Sequence, residues 1–178
     1  MFYKIVSTTG NEPISLVDVK TALKIDTNVI DMRLQGLMQA ARSYVETLTG
    51  RALVNKTIQV EIHPVNPREN KLVNLDTSGD IYLTVPLQPL IKVESIHCDG
   101  KEVTDYRVEE NQKIFLPNRC LDHNLVMTLR VGYADEDFPA VLKEAVMMTV
   151  QSLYEKGEFP EEESLLKIVQ SFRVMNLH

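Results

Sequence analysis

Four side chains in this sequence are of the types a metal site needs: His97, Cys98, Cys120 and His123. Thiolate and imidazole are the usual ligands of structural zinc, and Cys120-x-x-His123 has plausible ligand spacing. His97 and Cys98, however, are neighbours in a segment that reads as a strand. Adjacent strand residues point to opposite faces, so joint ligation of one ion is awkward. The expectation is no metal and no cofactor, with a small buried Cys and a surface His in their place.

Paired carboxylates could act as acid and base, and Glu109-Glu110 and Glu161-Glu162-Glu163 are the candidates. Both read as loop residues with no apolar pocket to split their pKa values. A solvated charge run is the plainer reading. Asp76, Asp80 and Asp99 could bind a cation, but no EF-hand spacing supports it. The sequence has no nucleophile elbow, no zinc-protease helix motif, no phosphate-cradling loop and no paired-cysteine motif, and its 7 glycines do not cluster. Ser15 is better explained as a helix cap than as a nucleophile. Tyr3, Tyr44, Tyr82, Tyr106, Tyr133 and Tyr154 are scattered without interleaved Lys or Arg, which suits packing and sheet edges rather than base stacking. No catalytic, cofactor-binding or metal-binding residue is expected.

The elements that would position any site begin after the turn signal Gly10-Asn11-Glu12-Pro13. Ser15 is a good N-cap with Asp18 three residues on, and Leu16, Val19, Ala22 and Leu23 follow at helical spacing. Asp26-Thr27-Asn28 breaks this helix and offers new caps. Ile30, Leu34, Leu37, Met38, Ala41, Tyr44, Val45 and Leu48 then step by three and four, one apolar stripe at the period of an α-helix. Asp31, Arg33, Gln35, Gln39, Arg42, Ser43 and Glu46 take mostly the other faces, and Gly50 is a natural residue to end the helix.

Beyond Arg51 the period changes to two. Thr57 to His63 alternates, with Ile58, Val60 and Ile62 on one face. Pro64 to Glu69 is a loop. Ile81–Val85, Ile91–His97, Val103–Val108, Ile114–Leu116 and Leu125–Val131 complete a five- or six-stranded antiparallel region, with Asp99-Gly100 as a type I′ hairpin turn. Phe138-Pro139 opens another helix, with Asp135, Glu136 and Asp137 placed against its positive end. Val141, Leu142, Ala145, Val146, Thr149, Val150 and Leu153 keep helical spacing, while Met147 and Met148 widen the stripe beyond one face. That extra width means burial on two sides. The second side is either a subunit interface or simply the centre of the monomer. Gly157 ends the helix, Glu158 to Glu163 is an acidic link, and Ser164 to about Val174 reads as a last short helix.

The resulting fold class is α+β: a helical bundle of two N-terminal and two C-terminal helices, about 15–50 and 139–175, with an inserted antiparallel β region at about 55–133. A chain of 178 residues reads as one domain spanning 1–178. A net charge of −6 argues against general nucleic-acid binding, which relies on Lys and Arg contacts to phosphate. No stretch reaches the roughly 18 apolar residues of a membrane helix. Met1-Phe2-Tyr3-Lys4 has no charged head followed by an apolar run, so no secretory signal is expected. Two cysteines form no disulfide framework, so a reducing compartment is expected.

Several pieces, in order, resemble the phage and prophage head–tail connector (head-completion adaptor) family. They are Ile14-Ser15-Leu16-Val17-Asp18-Val19-Lys20 with Leu23-Lys24-Ile25, then Asp31, Leu34 and Leu37, then Ala40-Ala41-Arg42, Val45-Glu46 and Thr49-Gly50-Arg51. Val85-Pro86-Leu87-Gln88-Pro89-Leu90-Ile91-Lys92-Val93 is similar to a later strand pair of that family, and Asp99-Gly100 fits its hairpin. Val131-Gly132-Tyr133 with Phe138-Pro139 and Leu142, then Leu153-Tyr154-Glu155, resemble its third helix. The likeness covers about 14–155 and departs at Glu158–Glu163.

The resemblance implies a structural virion protein at the head–tail junction, made in the bacterial host cytoplasm. Copies would form a ring of about twelve under the portal, closed by heterologous contacts between neighbouring helices. The ring would extend the DNA channel without sequence-specific binding and receive the next connector or tail protein. No membrane partner is implied. The C-terminal tail, roughly 164–178, would engage the portal protein. The competing readings are another virion piece, such as a head-completion stopper, and a small cytosolic enzyme with an unrecognised site. Leu37→Asp or Val146→Asp is expected to unfold the monomer, because a buried unpaired charge costs several kcal/mol.

Overall fold

The computed structural model describes residues 3–63, 72–76, 81–110, 112–117, 120, 123–133 and 138–173. By contact the chain divides into two compact units. One takes residues 3–9 and the described part of 54–133, and the other takes 10–53 and 138–173. Among the described elements the first unit holds the strands and the second the α-helices, so the α+β class holds.

The helical unit is built from α1 (Leu16–Leu23), α2 (Asp31–Thr49), α3 (Ala140–Glu155) and α4 (Glu162–Val169), followed by a 3-10 turn at Gln170–Phe172. Ser15 caps α1, its Oγ accepting the Asp18 N–H at 3.1 Å. Lys24, at φ 56°, closes α1 by donating its backbone N–H to the carbonyls of Lys20 and Thr21. The expected new caps at 26–28 do not cap α2, whose first turn has no side-chain acceptor. Thr27 instead accepts the Val29 N–H within the turn. Gly50, at φ 68°, ends α2 in the left-handed region where a residue without Cβ is unstrained.

The stripe of α2 is narrower than its apolar residues suggest. Leu34, Met38, Ala41, Val45 and Thr49 are buried, while Ile30, Leu37, Tyr44 and Leu48 are half-buried along its border. Leu37 is therefore not the core position its spacing implied; Leu34, fully buried, is where an unpaired charge would be most costly. On α3, Leu142, Ala145, Val146, Thr149, Val150 and Leu153 are buried. This helix packs against α1, α2 and α4, so three neighbours within one unit account for much of its wide stripe. Met147 and Met148 are half-buried. Thr149 satisfies its buried hydroxyl on the Ala145 carbonyl at 2.8 Å, as Thr49 does on Val45 at 2.7 Å.

Pro139 stands one position earlier than expected, as the cap residue of α3 rather than its first helical residue. Asp135–Asp137 lie outside the described residues. The acidic link is shorter than expected, because Glu162 and Glu163 form the first turn of α4, where carboxylates favour the helix dipole. Lys167 pairs with Glu163 one turn on, at 3.1 Å.

The strand unit contains two antiparallel sheets where one region was expected. The first has the order β1-β2-β9-β5-β6, formed by Tyr3–Thr9, Asn55–Ile62, Leu125–Val131, Leu90–Cys98 and Lys101–Glu102. The second has the order β3-β4-β8-β7, formed by Val73–Leu75, Ile81–Thr84, Lys113–Phe115 and Arg107–Glu109. The expected strand Val103–Val108 does not form as one: Lys101–Glu102, just before it, pairs with β5, and Arg107–Glu109, at its end, pairs with β8. Strand β1 precedes the helices, so the β region is more than an insertion.

The alternation read in β2 holds. Ile58 and Val60 are fully buried, opposite Leu129 and Met127 of β9. Asp99 and Gly100 both have positive φ, 46° and 78°, as the hairpin turn between β5 and β6 requires. Gly132 is needed for close approach. At φ 124°, a Cβ there would lie 2.6 Å from the Val54 carbonyl oxygen. Among the described residues, no helix is long and apolar enough to cross a membrane.

Candidate assembly surfaces

The polar residues of the α2 motif form one network. Glu46 is 8% exposed. One carboxylate oxygen accepts the Leu53 N–H at 2.8 Å, and the other accepts from Arg42, one turn earlier, at 3.1 Å. Arg42 also donates to Glu12 at 2.9 Å. The chain leaving α2 and the chain entering α1 are thus both tied to the same helix. Sequence pattern placed Glu46 on a polar face; it is instead a buried acceptor. The usable signal was its i,i+4 relation to Arg42 beside an apolar stripe. Arg51 donates to the Phe172 carbonyl and lies 5.7 Å from the centre of that ring, holding the 3-10 turn against the end of α2.

The α1–α2 corner carries one polar clamp and two exposed apolar side chains. Lys20, with its side chain 16% exposed, reaches Asp31 at 2.9 Å and also donates to Asn28. At the same corner, Val29 and Met32 are 89% and 86% exposed, the most exposed large apolar residues among those described. Gly36 stands one turn beyond Met32, with open space around the position of an added Cβ.

The sequence candidates for chemistry are distributed as follows. His97 and Cys98 are half-buried at the end of β5, and Cys120 is buried with its N–H on the Pro117 carbonyl. His123 turns away to Asp99, at 2.7 Å. Among the described residues, no group of three or more His, Cys, Asp or Glu side chains is placed to hold a metal ion. Asp99 also accepts the Asn124 N–H, so it serves the hairpin. Asp76 is half-buried and Asp80 lies outside the described residues.

Glu109 pairs with Arg107 at 2.8 Å and Glu110 with Lys113 at 2.8 Å. The hydrogen bond to Glu110 raises the Lys113 pKa above its ordinary value. Of the tyrosines, Tyr44 stacks near Phe159, Tyr82 near Phe115, and Tyr154 lies beneath Arg33.

Two surface clefts stand out among the described residues. One, of about 490 Å³, is lined by Glu12, Ile14, Ser15, Leu16, Gln35 and Met38 among others. Its one carboxylate is paired with Arg42 and its hydroxyl is spent on the α1 cap. The other, of about 370 Å³, lies beside β7 and β8 and includes Asp105, Tyr106, Arg107 and Phe115. Arg107 stacks on Phe115, 4.0 Å from its ring centre.

These surfaces belong to an α+β protein, and comparison with known proteins shows what it is similar to. Residues 13–82 match the model of the phage gp6-like head–tail connector protein family. The resemblance read from the sequence is thereby established over that segment, which carries the Ser15 cap, the Arg42–Glu46 network and the Gly50 stop. Three solved structures share the fold. A chain from the neck of an empty gene transfer agent particle, computed with C6 symmetry, is 14% identical with a TM-score of 0.74, covering 100% of this chain and 98% of that one. A chain from the virion of the native gene transfer agent particle is 14% identical with a TM-score of 0.73, over 100% and 98%. A chain from the neck of the native particle, computed with C12 symmetry, is 15% identical with a TM-score of 0.63, over 98% and 97%. No curated protein matches the chain. Family and fold together support a structural connector role.

Proposed function

We propose that this chain is a virion subunit of the head–tail junction, assembling as a ring beneath the portal, extending the DNA channel and receiving the next connector or tail protein. The observation that carries the proposal is the family match over 13–82 within a fold shared along the whole chain with a protein of a particle neck. About twelve copies is the expected number, as a heterologous contact that closes, and the C12 symmetry of one such neck agrees with it. The protein works by packing rather than catalysis. The cleft at Glu12 and Ser15 is lined by groups already committed to the fold, which leaves them poorly placed to act on a substrate. The Val29–Met32 corner is a contact surface for neighbouring subunits, and the C-terminal tail, roughly 164–178, engages the portal.

A net charge of −6 per subunit suits a channel through which DNA slides without being held. The test is to mix the purified chain with portal particles of the same phage and image the mixture by electron microscopy. A ring seated coaxially on the portal is the expected result. Failure to form any ring or portal complex, over a broad range of salt and concentration, overturns the proposal.

A further inference from the structure

The exposed large apolar residues of the five-stranded sheet lie on two strands only. They are Ile5 (47% exposed) and Val6 (56%) on β1, and Ile91 (42%) on β5. Strand β1 is one border of the sheet, and residues 4–9 are exposed throughout. At the other border, β6 pairs only with His97 and Cys98, and the Val103 N–H adds one bond to the Ile96 carbonyl. Residues 90–95 of β5 therefore have no strand on their outer side among the described residues. A long exposed edge with apolar side chains is a template for another strand, and proteins that must avoid pairing usually cover it or charge it.

The directions of the strands decide what can add. Every pair in the sheet is antiparallel, so β1 and β9 run one way while β2 and β5 run the other. A copy placed alongside in the same orientation brings its β1 antiparallel to β5, in keeping with every other pair. The two edges lie at opposite borders of one sheet, so the contact can repeat from copy to copy, and it closes when the rotation per copy allows. A contact of β1 with β1 would be two-fold and would stop at a dimer. Glu94 on β5 is already met by Lys92 at 3.3 Å and by Arg130 at 3.7 Å, so what the two borders offer each other is the apolar set Ile5, Val6 and Ile91. Strand β5 also shifts register between Leu90 and Lys92 and between Val93 and Ser95. Such irregularities bend and twist a strand, restricting pairing to short stretches and suiting a sheet that must curve.

We propose that a second copy of this chain pairs its β1 with the outer edge of β5, residues 90–95, continuing the sheet from subunit to subunit. This rests on the ring assembly proposed above and supplies one of its interfaces. Ile5→Cys and Ile91→Cys, each in the full chain with Cys98→Ser, test it. The two variants are mixed under ring-forming conditions with portal particles, treated with a short bis-maleimide and imaged in parallel. The expected product is a dimer linking position 5 to position 91, with no cross-link from either variant alone. Rings without that product, or dimers linking position 5 to position 5, overturn the edge pairing and leave the connector reading standing. Absence of both rings and cross-links overturns the two together.

Discussion

The most consequential single residue in the helical unit is Glu46. A buried carboxylate is tolerated only with partners, and this one has the Leu53 amide and the Arg42 guanidinium. Glu46→Ala leaves both donors without their acceptor next to the core, although Arg42 keeps Glu12. Removing one partner of a buried charged set costs about 3 kcal/mol or more. We expect a loss of that size in urea denaturation, and a smaller one, about 1–2 kcal/mol, for Glu46→Gln, which still offers a carbonyl to the Leu53 amide. Equal losses for both variants would mean that the charge, and not the amide contact, is what matters. The Ser15 cap, the Gly50 stop and the Asp99-Gly100 turn were legible from sequence because each is a local device. Glu46 was not, because its amide partner lies beyond the end of the helix in a segment without periodicity.

At the scale of elements, α2 contains a residue that its own unit does not require. Gly36 lies in the helix interior, and an added Cβ would meet nothing. Glycine costs a helix roughly 1 kcal/mol relative to alanine. Gly36→Ala should therefore raise the melting temperature of the isolated chain by several degrees, on the order of 4 °C for a gain near 1 kcal/mol. No change on calorimetry would show that the helix is already frayed there. The long periodic elements were read closely: α2, α3, β2 and β9 fall within a few residues of their expected bounds. Strand β1 was missed because Ile5 and Val6 are adjacent, which breaks the alternation that marks a half-buried strand. Strand β3, with three residues, is too short to carry a period. The α3 stripe was read as wide, and the structure gives it three helical neighbours within the unit.

For the whole molecule, the governing quantity is a net charge of −6 on a subunit proposed to contact its own copies. Like-charged subunits repel, and salt screens that repulsion, with a Debye length of about 10 Å at 0.1 M falling to about 3 Å at 1 M. If apolar corners and strand edges hold the ring, raising sodium chloride from about 50 to about 500 mM should strengthen self-association in sedimentation experiments. Weaker association at high salt would mean that ion pairs dominate the contacts instead.

Taken by itself, the sequence determined the α+β class, the capped α1, the buried stripe of α2, most strands and the order of motifs that resembles the connector family. These are consequences of short-range physics: period, capping, turn chemistry and the covalent order of residues. Only the tertiary structure decided how the strands divide between two sheets, that β1 joins the first of them ahead of the helices, and that Glu46 is buried. It also decided which apolar residues remain outside: Val29, Met32, Ile5, Val6 and Ile91 look no different in sequence from the side chains of the core. The reason is that burial and strand pairing depend on which distant segments meet, and no local pattern encodes a partner.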